Sequence, residues 1–173
     1  MNNTIINNTI INNTRPSWDK TWLDMLEILK NRSSCVKLKT AASIVKNNQL
    51  LATGYNGTFS NQEECYEHWE KEYKNRVLQI PFNEWLETHE FKKLHRDWSI
   101  ANEIHAEANA LKWISRADTS GCILYTLYSP CNACAKDIIA HGIKTVYYRY
   151  LYKHGNEAIS TLEKLGVYIM QIN

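Results

Sequence analysis

The sequence predicts an α/β fold of three layers, with helices on both faces of a central mixed five-stranded sheet. Three observations carry that reading. Residues 37–57, "KLKTAASIVKNNQLLATGYNG", hold two β-like runs joined at Lys46-Asn47-Asn48-Gln49. From residue 104 onward, helical and strand-like stretches alternate regularly. Gly142 and Gly166 stand where a helix C-cap favours glycine. A hairpin supplies an antiparallel pair and strands separated by helices supply parallel neighbours, so the sheet is mixed.

Taken in order, residues 1–15 open with "MNNTIINNTIINNT", a repeat of Asn-Asn-Thr-Ile-Ile with too little side-chain variety to specify a core. They are expected to form a low-complexity, disordered tail ahead of one domain spanning 16–173. The Asn-x-Thr triplets would be glycosylation acceptors only in a secreted chain, and nothing else indicates secretion. Ser17 after Pro16 is a good N-cap, and Trp18, Trp22, Met25, Leu26 and Leu29 are spaced to line one face of a first helix. Asparagine tolerates positive φ, which suits Asn47-Asn48 to a tight hairpin turn. Residues 58–97 are polar and aromatic, with helical stretches over 62–76 and 81–94 and no recurring β signal; they read as an insertion on the domain. Then follow a helix over 104–115, a strand over 122–127, a helix over 132–141, a strand over 145–150, a helix over 156–165 and a strand over 167–171.

Composition narrows the functional classes. A chain of 173 residues with 44% hydrophobic and 22% charged content buries one good core. A formal net charge of +2 suits a phosphorylated small molecule and gives no wide basic surface for tracking a polynucleotide. No apolar run reaches the roughly 18 residues of a membrane span, and the N-terminus lacks a charged-then-apolar signal pattern. The chain therefore reads as soluble, without membrane partners, and cytoplasmic (host cytoplasm if viral). Five cysteines, an odd number with two of them in a C-x-x-C, point to metal or redox chemistry in a reducing compartment.

The chemistry concentrates in two places. "NEIHAEANAL" at 102–111 puts His105 and Glu107 at the start of an apolar helical segment, and Pro130-Cys131-Asn132-Ala133-Cys134 opens a later helix. Zinc takes thiolates and imidazole in a tetrahedron, and a catalytic site keeps one corner for water, so His105, Cys131 and Cys134 supply the three protein ligands of a catalytic zinc. Helix N-termini stabilise thiolates through exposed N–H groups and the positive end of the dipole. An i, i+2 pair such as His105 and Glu107 converges only in a first turn, which is where it lies. His-x-Glu with Pro-Cys-x-x-Cys is the signature of zinc-dependent nucleobase deaminases, in which the glutamate does not ligate the metal and moves protons among the attacking water, the ring nitrogen and the departing amine. A thioredoxin-like dithiol leaves His-x-Glu unexplained.

Beyond that signature, "TGYNG" at 53–57, "HRDWSIANEIHAEANA" at 95–110 and "TLYSPCNACAKDI" at 126–138 resemble the deoxycytidylate (dCMP) deaminases of phage and viral type, over about residues 34–169. The resemblance implies a cytidine-deaminase-like fold and conversion of dCMP to dUMP and ammonia, supplying dUMP for thymidylate synthesis. It places Asn56 beside the nucleotide sugar, Tyr128 near the base, and Ser129 with its backbone carbonyl on the exocyclic amine; a turn residue in positive φ is the other reading of Asn56. It implies a second, structural zinc on Cys35, Cys65, His95 and Glu103, against ordinary buried thiols for the two cysteines, and leaves Cys122 to the core. It implies a hexamer, with Arg116 near subunit contacts or else on a solvated helix end. Regulated relatives respond to dCTP as activator and dTTP as inhibitor. Here Thr40-Ala41-Ala42 and Thr58-Phe59 depart from the stretches bordering the effector site, which leaves that regulation open. The alternatives are a dCTP or nucleoside deaminase, a tRNA or single-stranded DNA base deaminase, and a zinc-stabilised binding module without activity.

Overall fold

The computed structural model describes residues 4–6, 9–11 and 15–172, the first two segments by their backbone alone. Within the Asn-rich repeat, β1 (Thr4–Ile6) and β2 (Thr9–Ile11) pair antiparallel. The rest of the segment expected to be a disordered tail lies outside the described residues, Arg15 apart.

Helix α1 (Trp18–Leu29) starts as the sequence predicts, with Ser17 Oγ accepting a hydrogen bond from Lys20 N at 3.2 Å. Its buried stripe is Trp22, Leu23 and Leu26. Leu23 moves the centre of that stripe round the helix, so Trp18 and Met25, expected on the inner face, fall at its margin and are 55% and 41% exposed. The hairpin of β3 (Ala41–Lys46) and β4 (Gln49–Tyr55) turns at Asn47 (φ 52°) and Asn48 (φ 56°), the two consecutive positive φ angles of a type I′ turn.

After a short β5 (Gly57–Thr58) come α2 (Cys65–Lys74), α3 (Phe82–Trp85) and α4 (His89–Asn102). The helix expected over 81–94 is thus two. Thr88 divides them: its hydroxyl donates to Trp85 O at 2.7 Å, closing α3, and accepts from Phe91 N at 3.1 Å, capping α4. Ile104, expected to open a helix, instead forms β6 with Glu103 and pairs with β5, so α5 (Ala106–Leu111) starts later and ends earlier than the pattern implied. The remaining elements follow the expected alternation: β7 (Ile123–Tyr128), α6 (Asn132–His141), β8 (Thr145–Tyr150), α7 (Gly155–Lys164) and β9 (Tyr168–Gln171). Gly142 caps α6 at φ 77°.

The central sheet has the order β4-β3-β7-β8-β9, antiparallel through β4, β3 and β7 and parallel through β7, β8 and β9. One face carries α5, α6 and α7, with Ile44, Leu124 and Val146 of the strands meeting Leu111, Ile138 and Leu162. The other carries α1, whose Trp22, Leu23 and Leu26 meet Val45, Tyr125 and Leu127. Tyr125, buried on that face, donates to Asp19 at 2.6 Å. A third cluster, centred on Trp69, Trp85 and Phe91, gives residues 58–102 apolar packing of their own and draws in Cys35 and Cys65. Among the described residues no helix is long and apolar enough to cross a membrane.

Gly54 sets how closely α5 approaches the sheet. A Cβ there would lie well inside van der Waals contact of Ala106 O and Ala110 N, both helix backbone that cannot swing aside. Gly54→Ala is therefore expected to cost about 3 kcal/mol, the upper end of overpacking penalties. A urea midpoint unchanged from the parent chain would contradict this account of the contact.

Candidate active site

Two helix starts meet above the end of the sheet. His105 is the N-cap residue of α5 and Cys131 the N-cap residue of α6, both extended, at φ −69°, ψ 154° and φ −84°, ψ 173°. Cys131 leaves β7 through Ser129-Pro130, and Cys134 follows in the first turn of α6. His105 Nδ1 lies 3.1 Å from Cys134 Sγ and 3.5 Å from Cys131 Sγ. The three donor atoms fall within 4.8 Å of one another. Neighbouring ligand atoms about a tetrahedral zinc are about 3.6–3.8 Å apart, given bond lengths near 2.3 Å to sulfur and 2.0–2.1 Å to nitrogen. The donor types fit that ion, the nitrogen–sulfur separations lie a few tenths of an ångström inside that spacing, and Nδ1 is the ring nitrogen that faces the two sulfurs.

The electrostatics agree. Cys131 is held down to about 3 by a hydrogen bond with Cys134 and then by His105, while Cys134 is pushed upward by the same thiolate and by burial. His105 is raised to about 9, first by its contact with Cys131. Two thiols this close cannot both ionise without a cation beside them, and a divalent metal satisfies both. Glu107, in the first turn of α5, is buried, and desolvation raises its carboxyl above the ordinary range.

Cys35, Cys65, His95 and Glu103 also converge, with donor atoms within 4.8 Å of one another. His95 Nε2 sits 3.5 Å from each sulfur. Glu103 Oε1 is buried and has no hydrogen-bond partner among the described residues, and desolvation pushes this carboxyl up to about 7. A buried carboxylate oxygen facing two cysteines and an imidazole is a further donor set that suits zinc. The four residues come from the loop after α1, the start of α2, the middle of α4 and the residue that ends α4, so this cluster ties the 58–102 segment to the domain.

Both clusters open on one cavity of about 820 Å³, which His105, Glu107 and Cys131 line together with Cys35, His95 and Glu103. Asn56, Tyr128 and Ser129 line it as well. Asn56 is not a positive-φ turn residue. Its Oδ1 accepts from Thr40 N and its Nδ2 donates to Leu38 O, each at 2.9 Å, so it pins the 38–40 strip that forms part of the wall. Tyr128 packs on Tyr150 with ring centroids 5.4 Å apart. Ser129 is buried, its N donating to Tyr150 O at 2.8 Å and its Oγ accepting from Tyr152 N at 2.9 Å. Arg116 stands apart: it lies in an exposed turn (Arg116–Asp118) and is not among the residues lining the cavity.

Sequence reasoning missed Gly155, where a Cβ would collide with Ser129 Oγ and displace that hydroxyl from its contact with Tyr152 N. It also missed His89, Lys92, Lys93, Arg96 and Ser99 of α4, which line the cavity beside the predicted His95 and Glu103.

A mixed sheet between helices, with a His/Cys/Cys cluster and a buried glutamate at two helix starts, defines a zinc-binding hydrolytic deaminase. More narrowly, residues 16–150 match the family model for the cytidine and deoxycytidylate deaminase zinc-binding region, and the chain belongs to that family. It is 32% identical over 160 residues to ComE operon protein 2 of Bacillus subtilis (strain 168), spanning 91% of this chain and 72% of that one. To the deoxycytidylate deaminase of Enterobacteria phage T4 it is 31% identical over 145 residues, 74% of this chain and 75% of that one. The crystal structure of the dCMP deaminase from cyanophage S-TIM5 in complex with dCMP and dUMP superposes with a TM-score of 0.63 at 29% identity, covering 92% of this chain and 99% of that one.

Proposed function

We propose that this chain converts dCMP to dUMP and ammonia by hydrolysis, with Glu107 as the catalytic residue and His105, Cys131 and Cys134 holding a zinc ion. The observation that carries this is the placement of a buried carboxyl, Glu107, two residues from His105 and on the wall of the cavity that the cluster faces. A purely structural metal site has no use for that carboxyl. The similarity to a dCMP deaminase solved with dCMP and dUMP supports the choice of substrate.

Zinc held there supplies Lewis acidity that makes water nucleophilic near neutral pH. The chain's own residues do the rest. Burial favours the protonated form of Glu107, so the carboxyl can deliver a proton to the ring N3 and recover one from the attacking water. It then passes a proton to the departing amine. Tyr128 packs beside the base, the Ser129 carbonyl receives the exocyclic amine, and Asn56 fixes the wall beside the sugar. Cys35, Cys65, His95 and Glu103 hold a second, structural zinc that fixes the end of α4. A hexamer with Arg116 near its contacts belongs to the same reading.

Glu107→Gln keeps the shape of the site and removes the proton carrier. Turnover of dCMP is expected to fall on the order of 10²–10⁴-fold with zinc content unchanged; near-normal turnover would exclude Glu107 from proton transfer. Elemental analysis should find two zinc ions per parent chain and one in either Cys134→Ser or Cys65→Ser. The first of these should be inactive, and the second should melt at lower temperature; a Cys65→Ser chain with unchanged zinc content would remove the second site. Addition of dCTP or dTTP to the dCMP assay decides the regulation that Thr40-Ala41-Ala42 and Thr58-Phe59 leave open: a rise with dCTP and a fall with dTTP would establish effector control, and a flat response to both would exclude it.

A further inference from the structure

Tyr150 stands behind the wall of the cavity. It is not among the residues that line the space, yet it contacts two that are. In the parallel pairing of β7 and β8 it is the register partner of Tyr128, and the two rings lie with centroids 5.4 Å apart, tilted by 42°. Its carbonyl accepts from Ser129 N at 2.8 Å. Ring and backbone therefore bear on the two residues assigned to the base and its exocyclic amine.

The hydroxyl carries the connection outward. Tyr150 Oη donates to Glu27 Oε1 at 2.8 Å, in the last turn of α1. Arg149 Nη1 lies 3.5 Å from the same oxygen, and Lys30 Nζ lies 2.6 Å from the other. Burial works against a charge on Glu27, but hydrogen bonds from Lys30 and Tyr150 hold its carboxyl below the ordinary range. The acceptor is then a carboxylate, and hydrogen bonds to an ionised acceptor are among the stronger kinds. Arg149 also meets Asp24 at 2.6 Å, so two acids on one side of α1 hold the end of β8. Tyr150 is 43% exposed, which leaves its ring room to turn, and the Glu27 contact decides where it lies.

Resting on the assignment of dCMP as substrate and of Tyr128 beside its base, we propose that Tyr150 is a positioning residue for the reaction: held by Glu27, its ring sets the angle of the Tyr128 ring and so the fit of the base. It touches neither substrate nor metal and acts through Tyr128. A wall that holds the base equally before and during reaction affects binding and leaves the chemical step alone, so its loss shows in KM rather than in kcat. Helix α1 then has a second task besides covering the sheet. The bond from Tyr125 to Asp19, 2.6 Å long, ties the same helix to the same sheet through a residue that does not line the cavity, and so supplies a comparison.

The test measures kcat and KM for dCMP, the Kd of dUMP and the melting temperature in the zinc-loaded full chain and its variants. Tyr150→Phe keeps the ring and loses the hydroxyl; it is expected to raise KM and the dUMP Kd about three- to tenfold, as loss of one hydrogen bond does, with kcat little changed. Glu27→Gln keeps an acceptor and should lie between the parent and Tyr150→Phe. In a Tyr128→Leu chain, whose KM is itself raised, adding Tyr150→Phe should change KM no further, because the residue through which it acts is gone. Tyr125→Phe is the control, expected to lower the melting temperature and leave KM unchanged. Failure of the parent chain to deaminate dCMP would overturn the substrate reading itself. With an active parent, a Tyr150→Phe chain of unaltered KM would overturn the positioning role alone. So would a rise that persists undiminished in the Tyr128→Leu background or is matched by Tyr125→Phe.

Discussion

The close seating of α5 on β4 at Gly54 is the constraint on which the site depends. Helix backbone lies where a side chain would otherwise be, and this brings the first turn of α5 level with the first turn of α6. His105 thereby reaches two cysteines that belong to a different βα unit. Moving α5 outward by the thickness of one methyl group would separate the imidazole from the thiols by about the same amount, more than a metal–ligand bond tolerates. The residues beneath α5 are correspondingly small: Ala42 and Ala52 of the strands face Ala106 and Ala110 of the helix.

The two donor clusters share a backbone. Glu103 ends α4 and belongs to the inner cluster, and His105 begins α5 and belongs to the outer one. The extended dipeptide Glu103-Ile104 between them is held by its pairing with Gly57-Thr58. A metal on the inner cluster would fix the end of α4 and hence the position from which His105 projects. Packing alone gives this region an aromatic cluster, but the strand pairing of β6 is only two residues long. Donor atoms in the interior also explain two unusual features, an unpartnered carboxylate oxygen and four thiols buried or nearly so beside imidazoles.

Charge in this protein is divided by depth. The interior carries the groups whose ionisation depends on one another: Glu107, Glu103 and the paired thiols. The cavity wall also carries Lys37, Lys92 and Arg96, whose acidic partners Glu87 and Asp97 are exposed, so those contacts are weak. Net charge near neutrality conceals this arrangement.

The sequence by itself determined the alternation of elements, the hairpin turn at Asn47-Asn48, the helix starting at Ser17, and the donor set at His105, Cys131 and Cys134, because each is written in local spacing or residue chemistry. It placed α6 and β8 to the residue for the same reason: proline, glycine and apolar periodicity mark their ends. Elements decided by distant partners were not legible in this way. Ile104 leaves the expected helix because it and Glu103 pair with Gly57 and Thr58, and Trp18 and Met25 lie at the edge of the buried stripe because Leu23 turns α1. Asn56, whose Gly-Tyr-Asn-Gly setting also fits a turn, proved to brace residues 38–40. Only the tertiary structure decided which face of α4 turns to the cavity, since helical spacing gives a stripe without saying what it faces. It also decided why Gly54 must be glycine: the helix-backbone atoms that exclude a side chain there belong to residues far away in the chain.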